Sequence, residues 1–85
     1  MTYRLIYTRK AERDIKALTS PIRERIGKAL LRYCKDPFKH AEKLTDSILG
    51  SYRFRIGDYR VVFDIEEDEI VVLRVGHRRE IYRRK

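Results

Sequence analysis

Apolar and polar residues alternate strictly along residues 51–56, which is the pattern of a β-strand with one buried face. Gly57-Asp58 follows, and glycine at the first of two central positions predicts a type II′ hairpin loop. Folding the chain on this loop sets Arg55 opposite Arg60, with Arg53 as a neighbour on the same face. The hairpin is therefore predicted to have an apolar face and an arginine face.

The N-terminal half of the chain has the patterns of one strand and two helices. β-Branched and aromatic residues predict a strand from Thr2 to Tyr7. Apolar residues at helical spacing predict helices from Arg9 to about Leu18 and from Pro21 to about Lys35. Thr8 and Ser20 are the predicted N-caps of these helices.

Two further segments are predicted to be surface structure. Residues 38–49 have no clean period and predict a loop, with one helical turn around Ala41 to Leu44. Basic residues of the second helix, Arg25 among them, are predicted to form a solvated face.

The C-terminal part predicts a second hairpin, whose last strand runs from about Glu69 to Val75. A three-residue loop over residues 66–68 keeps the apolar residues of both strands on one face and sets Arg60 opposite Arg74. A two-residue loop would instead set Arg60 opposite Val75. With the longer loop, the arginine face extends over three strands.

The predicted element order is β-α-α-β-β-β, in one α+β domain covering residues 1–85. A chain of 85 residues has no room for a second core. A helical hairpin is expected to pack on the apolar face of an antiparallel meander. The arginine face is expected to stay open.

Composition limits the classes of partner and compartment. The formal net charge is +8 and the isoelectric point is near 9.9, which favours a polyanionic partner. The single cysteine, Cys34, excludes an internal disulfide and fits a reducing cytoplasm. No apolar run approaches the ~20 residues of a membrane span, and no signal-peptide pattern is present. We therefore expect a cytoplasmic protein that does not engage a membrane.

The arginine face is the candidate chemical site. A guanidinium group can form bidentate hydrogen bonds to phosphate oxygens, so Arg55 and Arg74 are predicted to bind RNA phosphates. Tyr82 and His77 lie at the predicted edge of this face, and His77 is a candidate proton carrier because its ordinary pKa lies in the working range. No zinc, P-loop or Ser-His-Asp pattern occurs, so no metal or cofactor is expected. A solvated polar sheet face is the alternative interpretation.

Three segments together resemble the RelE/ParE superfamily of bacterial and archaeal toxins over essentially the full chain. They are Tyr52–Ile56 (Tyr-Arg-Phe-Arg-Ile), Gly57–Val62 (Gly-Asp-Tyr-Arg-Val-Val) and Val75–Tyr82 (Val-Gly-His-Arg-Arg-Glu-Ile-Tyr). The resemblance implies the RelE-like fold and a type II toxin-antitoxin system. The RelE branch, as the resemblance implies, enters the ribosomal A site and cleaves messenger RNA, leaving a 2′,3′-cyclic phosphate.

The resemblance also implies a set of active-site residues. The RelE pattern has two basic residues on one strand, an arginine on the next, an arginine after the last strand and a C-terminal tyrosine. In this chain the matching positions are Arg53, Arg55, Arg60, Arg78 and Tyr82. RelE members carry lysines at the first two positions, and arginine there keeps the charge but weakens the role of general base. His77 and substrate positioning remain the alternatives for proton removal.

The partners implied by the resemblance are the 70S ribosome with its messenger RNA and an acidic, RelB-like antitoxin that wraps the basic surface in a hetero-oligomer. Two other functions remain open. A ParE-like protein would inhibit DNA gyrase without catalysis, and a plain RNA-binding module would use the basic sheet without chemistry.

Overall fold

The computed structural model describes residues 2–45 and 48–82, which form one five-stranded sheet and three helices. The elements are β1 (Arg4–Tyr7), α1 (Arg9–Lys16), α2 (Ser20–Tyr33), α3 (Pro37–His40), β2 (Glu42–Lys43), β3 (Tyr52–Ile56), β4 (Tyr59–Glu66) and β5 (Glu69–His77). The strand order is β1-β5-β4-β3-β2. β1 pairs in parallel with β5, and the other pairs are antiparallel. The α+β class, the helical hairpin and the meander are confirmed.

The two long helices begin close to their predicted positions. Thr8 caps α1, because its Oγ1 accepts a hydrogen bond from the N–H of Ala11 at 3.1 Å. The N-cap of α2 is Thr19, so the prediction of Ser20 was wrong by one residue; Pro21 occupies the first turn, where its missing N–H costs nothing. None of the helices in the described ranges is long and apolar enough to cross a membrane.

The predicted loop contains two short elements. The helical turn is α3, just before Ala41 rather than after it, and β2 follows as a short edge strand. β2 pairs with β3, so that Glu42 lies opposite Arg53. Two residues are too few for a detectable alternation, and their strand conformation comes from pairing with β3. Positions 46 and 47 of this predicted loop lie outside the described residues.

The main core lies between the helices and one face of the sheet. Its largest fully buried side chains include Phe54, Phe63, Leu30, Ile70 and Val72. The rings of Phe54 and Phe63 stack with centroids 4.2 Å apart. We call the sheet face toward the helices the inner face and the opposite one the outer face.

The central hairpin has the predicted register. Arg55 pairs with Arg60, and Phe54 pairs with Val61. A type II′ turn has a positive φ at its first central residue and not at its second. Gly57 has φ +60 and Asp58 has no positive φ, so the turn type is the predicted one. The arginine side chains of β3 and β4 therefore share the outer face.

The predicted register of the second hairpin was wrong. The loop has two residues, since Glu66 pairs with Glu69. A β-bulge then leaves Leu73 without a partner on β4, and Gly76 rather than Arg74 lies opposite Arg60.

The bulge explains why the parity argument failed. The strands do need one extra residue to keep Val75 on the inner face with Val61, and they accommodate it in the middle of β5 instead of in the loop. As a result Ile70 and Val72, rather than Val71 and Leu73, pack in the core.

Candidate functional site

The outer face is partly covered, contrary to the open face that was predicted. Val62 and Ile81 are buried but lie outside the main core. A Cβ added at Gly50 would lie 2.8 Å from side-chain carbons of Val62 and Leu73, so the chain around Gly50 crosses the face at this point. Ile81 lies close to Gly76 on β5. The covered part is near β5, and the basic side chains of β3 lie toward β2.

Arg60 is held as a fixed cation at the centre of the site. Arg60 is only 6% exposed. Its Nη1 donates to the carbonyl oxygens of Gly57 and Tyr59, both at 2.9 Å. Burial, followed by repulsion from Arg55 and Arg53, lowers the pKa of Arg60, although a guanidinium stays charged at neutral pH. Arg60 forms no ion pair within the described residues. It is therefore a preorganised charge without a counterion.

Glu42 bridges the two arginines of β3. Its Oε1 accepts a hydrogen bond from Arg53 Nε at 2.8 Å, and its Oε2 lies 3.6 Å from Arg55 Nη1. The hydrogen bond from Arg53, with the charges of both arginines, lowers the pKa of Glu42. Sequence analysis missed Glu42, because it lies in a segment predicted to be a loop. Its one detectable signal was an acidic residue among basic neighbours.

Tyr82 joins this group from the end of the chain. Its Oη accepts a hydrogen bond from Arg53 Nη1 at 3.1 Å, and its ring centroid lies 6.0 Å from the guanidinium carbon of Arg53. The hydrogen bonds to Tyr82 and Glu42 raise the pKa of Arg53. Tyr82 is 39% exposed, so one part of its ring can still contact a ligand.

Arg78 is anchored at the tip of the central hairpin. Its backbone N–H donates to the carbonyl oxygen of Asp58 at 2.7 Å, and its Nε lies 3.7 Å from Asp58 Oδ1. Its charge also contributes to lowering the pKa of Arg60. Five of the predicted site residues thus come together: Arg53, Arg55, Arg60, Arg78 and Tyr82. We refer to these five residues and Glu42 as the arginine cluster.

The structure separates His77 from the arginine cluster, contrary to the predicted placement. His77 pairs with Tyr59, and their rings make an edge-to-face contact with centroids 5.4 Å apart on the inner face. Its Nδ1 accepts a hydrogen bond from the N–H of Arg79 at 3.1 Å. The predicted strand ended at Val75, whereas β5 continues to His77, which therefore lies on the same face as Val75.

Arg74 is likewise outside the cluster, and its prediction as part of a three-strand stripe was wrong. Its Nε and Nη2 donate to the two carboxylate oxygens of Asp14 at 2.8 and 3.3 Å. The same carboxylate accepts the N–H of Val75 at 2.9 Å. The hydrogen bonds from Arg74 to Asp14 raise the pKa of Arg74, and all three bonds attach α1 to β5.

The arginine cluster combines several bidentate donors with one carboxylate and one tyrosine. Such donors suit the oxygens of a phosphodiester, and the carboxylate is a group that can accept a proton. Within residues 2–45 and 48–82, no three side chains among His, Cys, Asp and Glu gather as a set of metal ligands.

Comparison with known proteins identifies the family. The profile described as the ParE toxin of type II toxin-antitoxin system, parDE, matches residues 5–82. Toxin RelG of Mycobacterium tuberculosis is 31% identical over 91 aligned positions, which cover 99% of this chain and 100% of the relative. The chain belongs to the RelE/ParE superfamily. It is a toxin of a type II toxin-antitoxin system, of the RelE family, as the resemblance implied.

Solved structures agree with this assignment. The chain is similar to one in the toxin-antitoxin complex RelBE2 from Mycobacterium tuberculosis, with a TM-score of 0.83, 25% identity, and coverage of 91% of this chain and 99% of that one. It is also similar to a free E. coli RelE with two arginine-to-alanine substitutions. The TM-score is 0.75 at 26% identity, and the match covers 91% of this chain and 84% of that one. The RelE-like fold is therefore confirmed.

Proposed function

We propose that this toxin is a ribosome-dependent endoribonuclease that cleaves messenger RNA in the A site. The observation that carries the proposal is the arginine cluster, in which Arg60 is a buried cation with no ion-pair partner in residues 2–45 and 48–82. Arg53, Arg55 and Arg78 surround it, so a phosphate would offset part of the excess positive charge of the cluster. RelE-family relatives support the same function.

The proposed reaction needs no external nucleophile. The 2′-oxygen of one ribose attacks the adjacent phosphorus, the bond from phosphorus to the 5′-oxygen breaks, and a 2′,3′-cyclic phosphate remains. Negative charge develops on the phosphoryl oxygens, where the guanidinium groups of Arg60 and Arg78 would stabilise it. Arg53 and Arg55 would hold the flanking phosphates. The ring of Tyr82 would position a base by stacking.

Glu42 is the proposed general base in place of His77. Proton removal from the 2′-hydroxyl requires an acceptor, which a guanidinium cannot be. The carboxylate of Glu42 is ionised, and the hydrogen bond from Arg53 keeps its pKa low in the free protein. A phosphate that takes over this donor would release the carboxylate and raise its pKa toward the useful range. The proton of the 2′-hydroxyl would pass to Glu42, and the departing 5′-oxygen would take its proton from solvent.

The same surface also indicates which partners the toxin would bind. The cluster offers donors for phosphate, and we propose that the ribosome supplies the alignment of the RNA backbone. The solved complex from Mycobacterium tuberculosis contains a toxin and its antitoxin. With a net charge of +8, this chain would bind an acidic, RelB-like antitoxin in a hetero-oligomer that covers the cluster.

The test is cleavage of a defined message on purified 70S ribosomes, mapped by primer extension and by detection of the cyclic phosphate end. We expect cuts within the A-site codon, and a decrease of about 10²–10³-fold in Arg60→Ala and in Arg78→Ala. Both variants should keep the wild-type circular dichroism spectrum and should no longer inhibit growth. Wild-type cleavage by both variants would contradict the assignment. Intact message together with double-strand DNA breaks would support gyrase inhibition instead.

A further inference from the structure

Arg25 of α2 lies against the tip of the central hairpin. A Cβ added at Gly57 would lie 2.7 Å from Arg25 Nη2, 3.0 Å from Cζ and 3.1 Å from Nη1. Three atoms of the guanidinium are thus almost equally close, which means that its flat face packs on the glycine. A planar group packed in this way directs its N–H donors outward along the plane. Sequence analysis had assigned Arg25 to a solvated helix face.

Two arginines of the cluster meet the same two-residue turn. Arg60 Nη1 donates to the carbonyl oxygen of Gly57, and the N–H of Arg78 donates to the carbonyl oxygen of Asp58. Arg25 itself is exposed, and it makes no hydrogen bond or ion pair within the described residues. Arginines from three separate segments therefore surround Gly57-Asp58, and Arg25 has all of its donors available.

We propose that Arg25 binds a second phosphate of the RNA strand, next to the phosphate held at Arg60 and Arg78. This inference rests on the proposed endoribonuclease function. Continuity with the arginine cluster favours a phosphodiester as the ligand, since one strand can pass from Arg60 over the turn to Arg25. Because Arg25 would not touch the reacting atoms, it is a positioning residue.

The proposal predicts a specific change in kinetics and in salt dependence. Arg25→Gln should raise KM for cleavage on programmed ribosomes about 5–10-fold and leave kcat within about twofold, since the lost contact is equal in ground and transition states. For single-stranded RNA, the slope of log affinity against log salt concentration should become shallower by about 0.7, which is the value for one phosphate contact. Arg25→Lys, which keeps the charge, should restore most of that slope.

Lys35→Gln is the matched control, because it removes one charge at the opposite end of the sheet. Lys35 follows Cys34, whose carbonyl oxygen accepts the N–H of Tyr3 ahead of β1, near the β4–β5 turn. The turn at Gly57 lies at the other end of β5, next to His77. The binding probe is a 2′-O-methyl RNA oligonucleotide, which cannot undergo the cleavage reaction, and fluorescence anisotropy follows its binding over a range of salt concentrations.

The outcomes separate this proposal from the proposed function. If the wild type cleaves message while the Arg25 and Lys35 variants have equal KM values and equal salt slopes, the second phosphate site is wrong and the endoribonuclease stands. A fall in kcat as large as that of Arg60→Ala would overturn the positioning role. Loss of antitoxin binding with unchanged RNA binding would mean that Arg25 contacts an acidic peptide instead, which also overturns the proposal. A wild type that neither binds nor cleaves RNA would overturn both.

Discussion

Glu42 and Arg53 face each other across the β2–β3 pair, with Arg53 Nε donating to Glu42 Oε1 at 2.8 Å. The pair places a carboxylate beside Arg53 and Arg55, which have no other ion-pair partner among the described residues. In the free toxin, the carboxylate occupies donors that a phosphate would use. Substrate binding would therefore exchange one anion for another and leave Glu42 available as a base.

Replacing Glu42 by glutamine tests this role directly. Glutamine keeps the size and can still accept the hydrogen bond from Arg53, but it cannot take a proton. We expect single-turnover cleavage on programmed ribosomes to fall about 10²–10⁴-fold in Glu42→Gln. Glu24→Gln is the control, because Glu24 is an exposed acid paired with Lys28 on α2. A Glu42→Gln rate within twofold of the wild-type rate would exclude Glu42 as the base.

The pKa of Glu42 also predicts how the stability of the free toxin depends on pH. Arg53 lowers this pKa in the folded state, so the folded protein releases the proton more readily than the unfolded chain. The resulting stabilisation is complete above the ordinary value of 4.5 and is lost as the pH falls through the lower folded value. Thermal unfolding of wild type and Glu42→Gln should differ at neutral pH and converge in acid. A difference that stayed constant into acid would argue against the contact in solution.

Arg60→Lys separates charge from geometry at the centre of the cluster. A lysine keeps the positive charge, but its ammonium cannot hold the Gly57 and Tyr59 carbonyl oxygens and also present a planar fork to a phosphate. We expect cleavage to fall about 10²–10³-fold, close to the loss in Arg60→Ala. Far-ultraviolet circular dichroism and antitoxin binding check that the fold is kept. If lysine supported wild-type cleavage, charge alone would be sufficient at this position.

Arg74 is expected to contribute to stability rather than to RNA binding. Its two hydrogen bonds to Asp14, with the bond from Val75 N–H to the same carboxylate, join α1 to β5. Losing a partly buried, charged hydrogen-bond partner costs about 1–3 kcal/mol, so Arg74→Gln should lower Tm by roughly 4–8 °C per kcal/mol. A double-mutant cycle with Asp14→Asn should show coupling between the two residues. An unchanged Tm with weakened RNA binding would reinstate the sequence prediction for Arg74.

Two glycines offer a matched pair of alanine substitutions. Gly57 has φ +60 and is packed under Arg25, so Gly57→Ala should destabilise the protein by about 1–2 kcal/mol or more. Gly27 lies inside α2, and no atom lies within 4 Å of a Cβ built there. Gly27→Ala should therefore stabilise the protein by about 0.5–1 kcal/mol. Chemical denaturation measures both, and effects of equal sign would contradict the environments described for the two positions.

The amino-acid sequence by itself determined the central hairpin, its two-residue turn and the arginine face of β3 and β4. These features depend on local rules: an alternation with period two decides which face each residue occupies, and Gly57 supplies the positive φ of the turn. Tyr82 is predicted at the edge of this face from the sequence itself, whereas Arg78 depends on the family resemblance. Both reach the cluster from outside these strands.

Tertiary structure alone decided the position of Arg74, the continuation of β5 to His77 and the presence of Glu42 in the cluster. Placing the extra residue at Leu73 instead of in the turn reverses the faces of the residues between the turn and the bulge and sets Gly76, not Arg74, opposite Arg60. Neither loop length nor composition indicates which of the two places takes that residue. At the bulge, the carboxylate of Asp14 accepts hydrogen bonds from the Arg74 side chain and from the N–H of Val75, a contact with α1 that local sequence cannot indicate. Glu42 enters the cluster because β2 takes its strand conformation from pairing with β3, a long-range contact that its own short segment cannot predict.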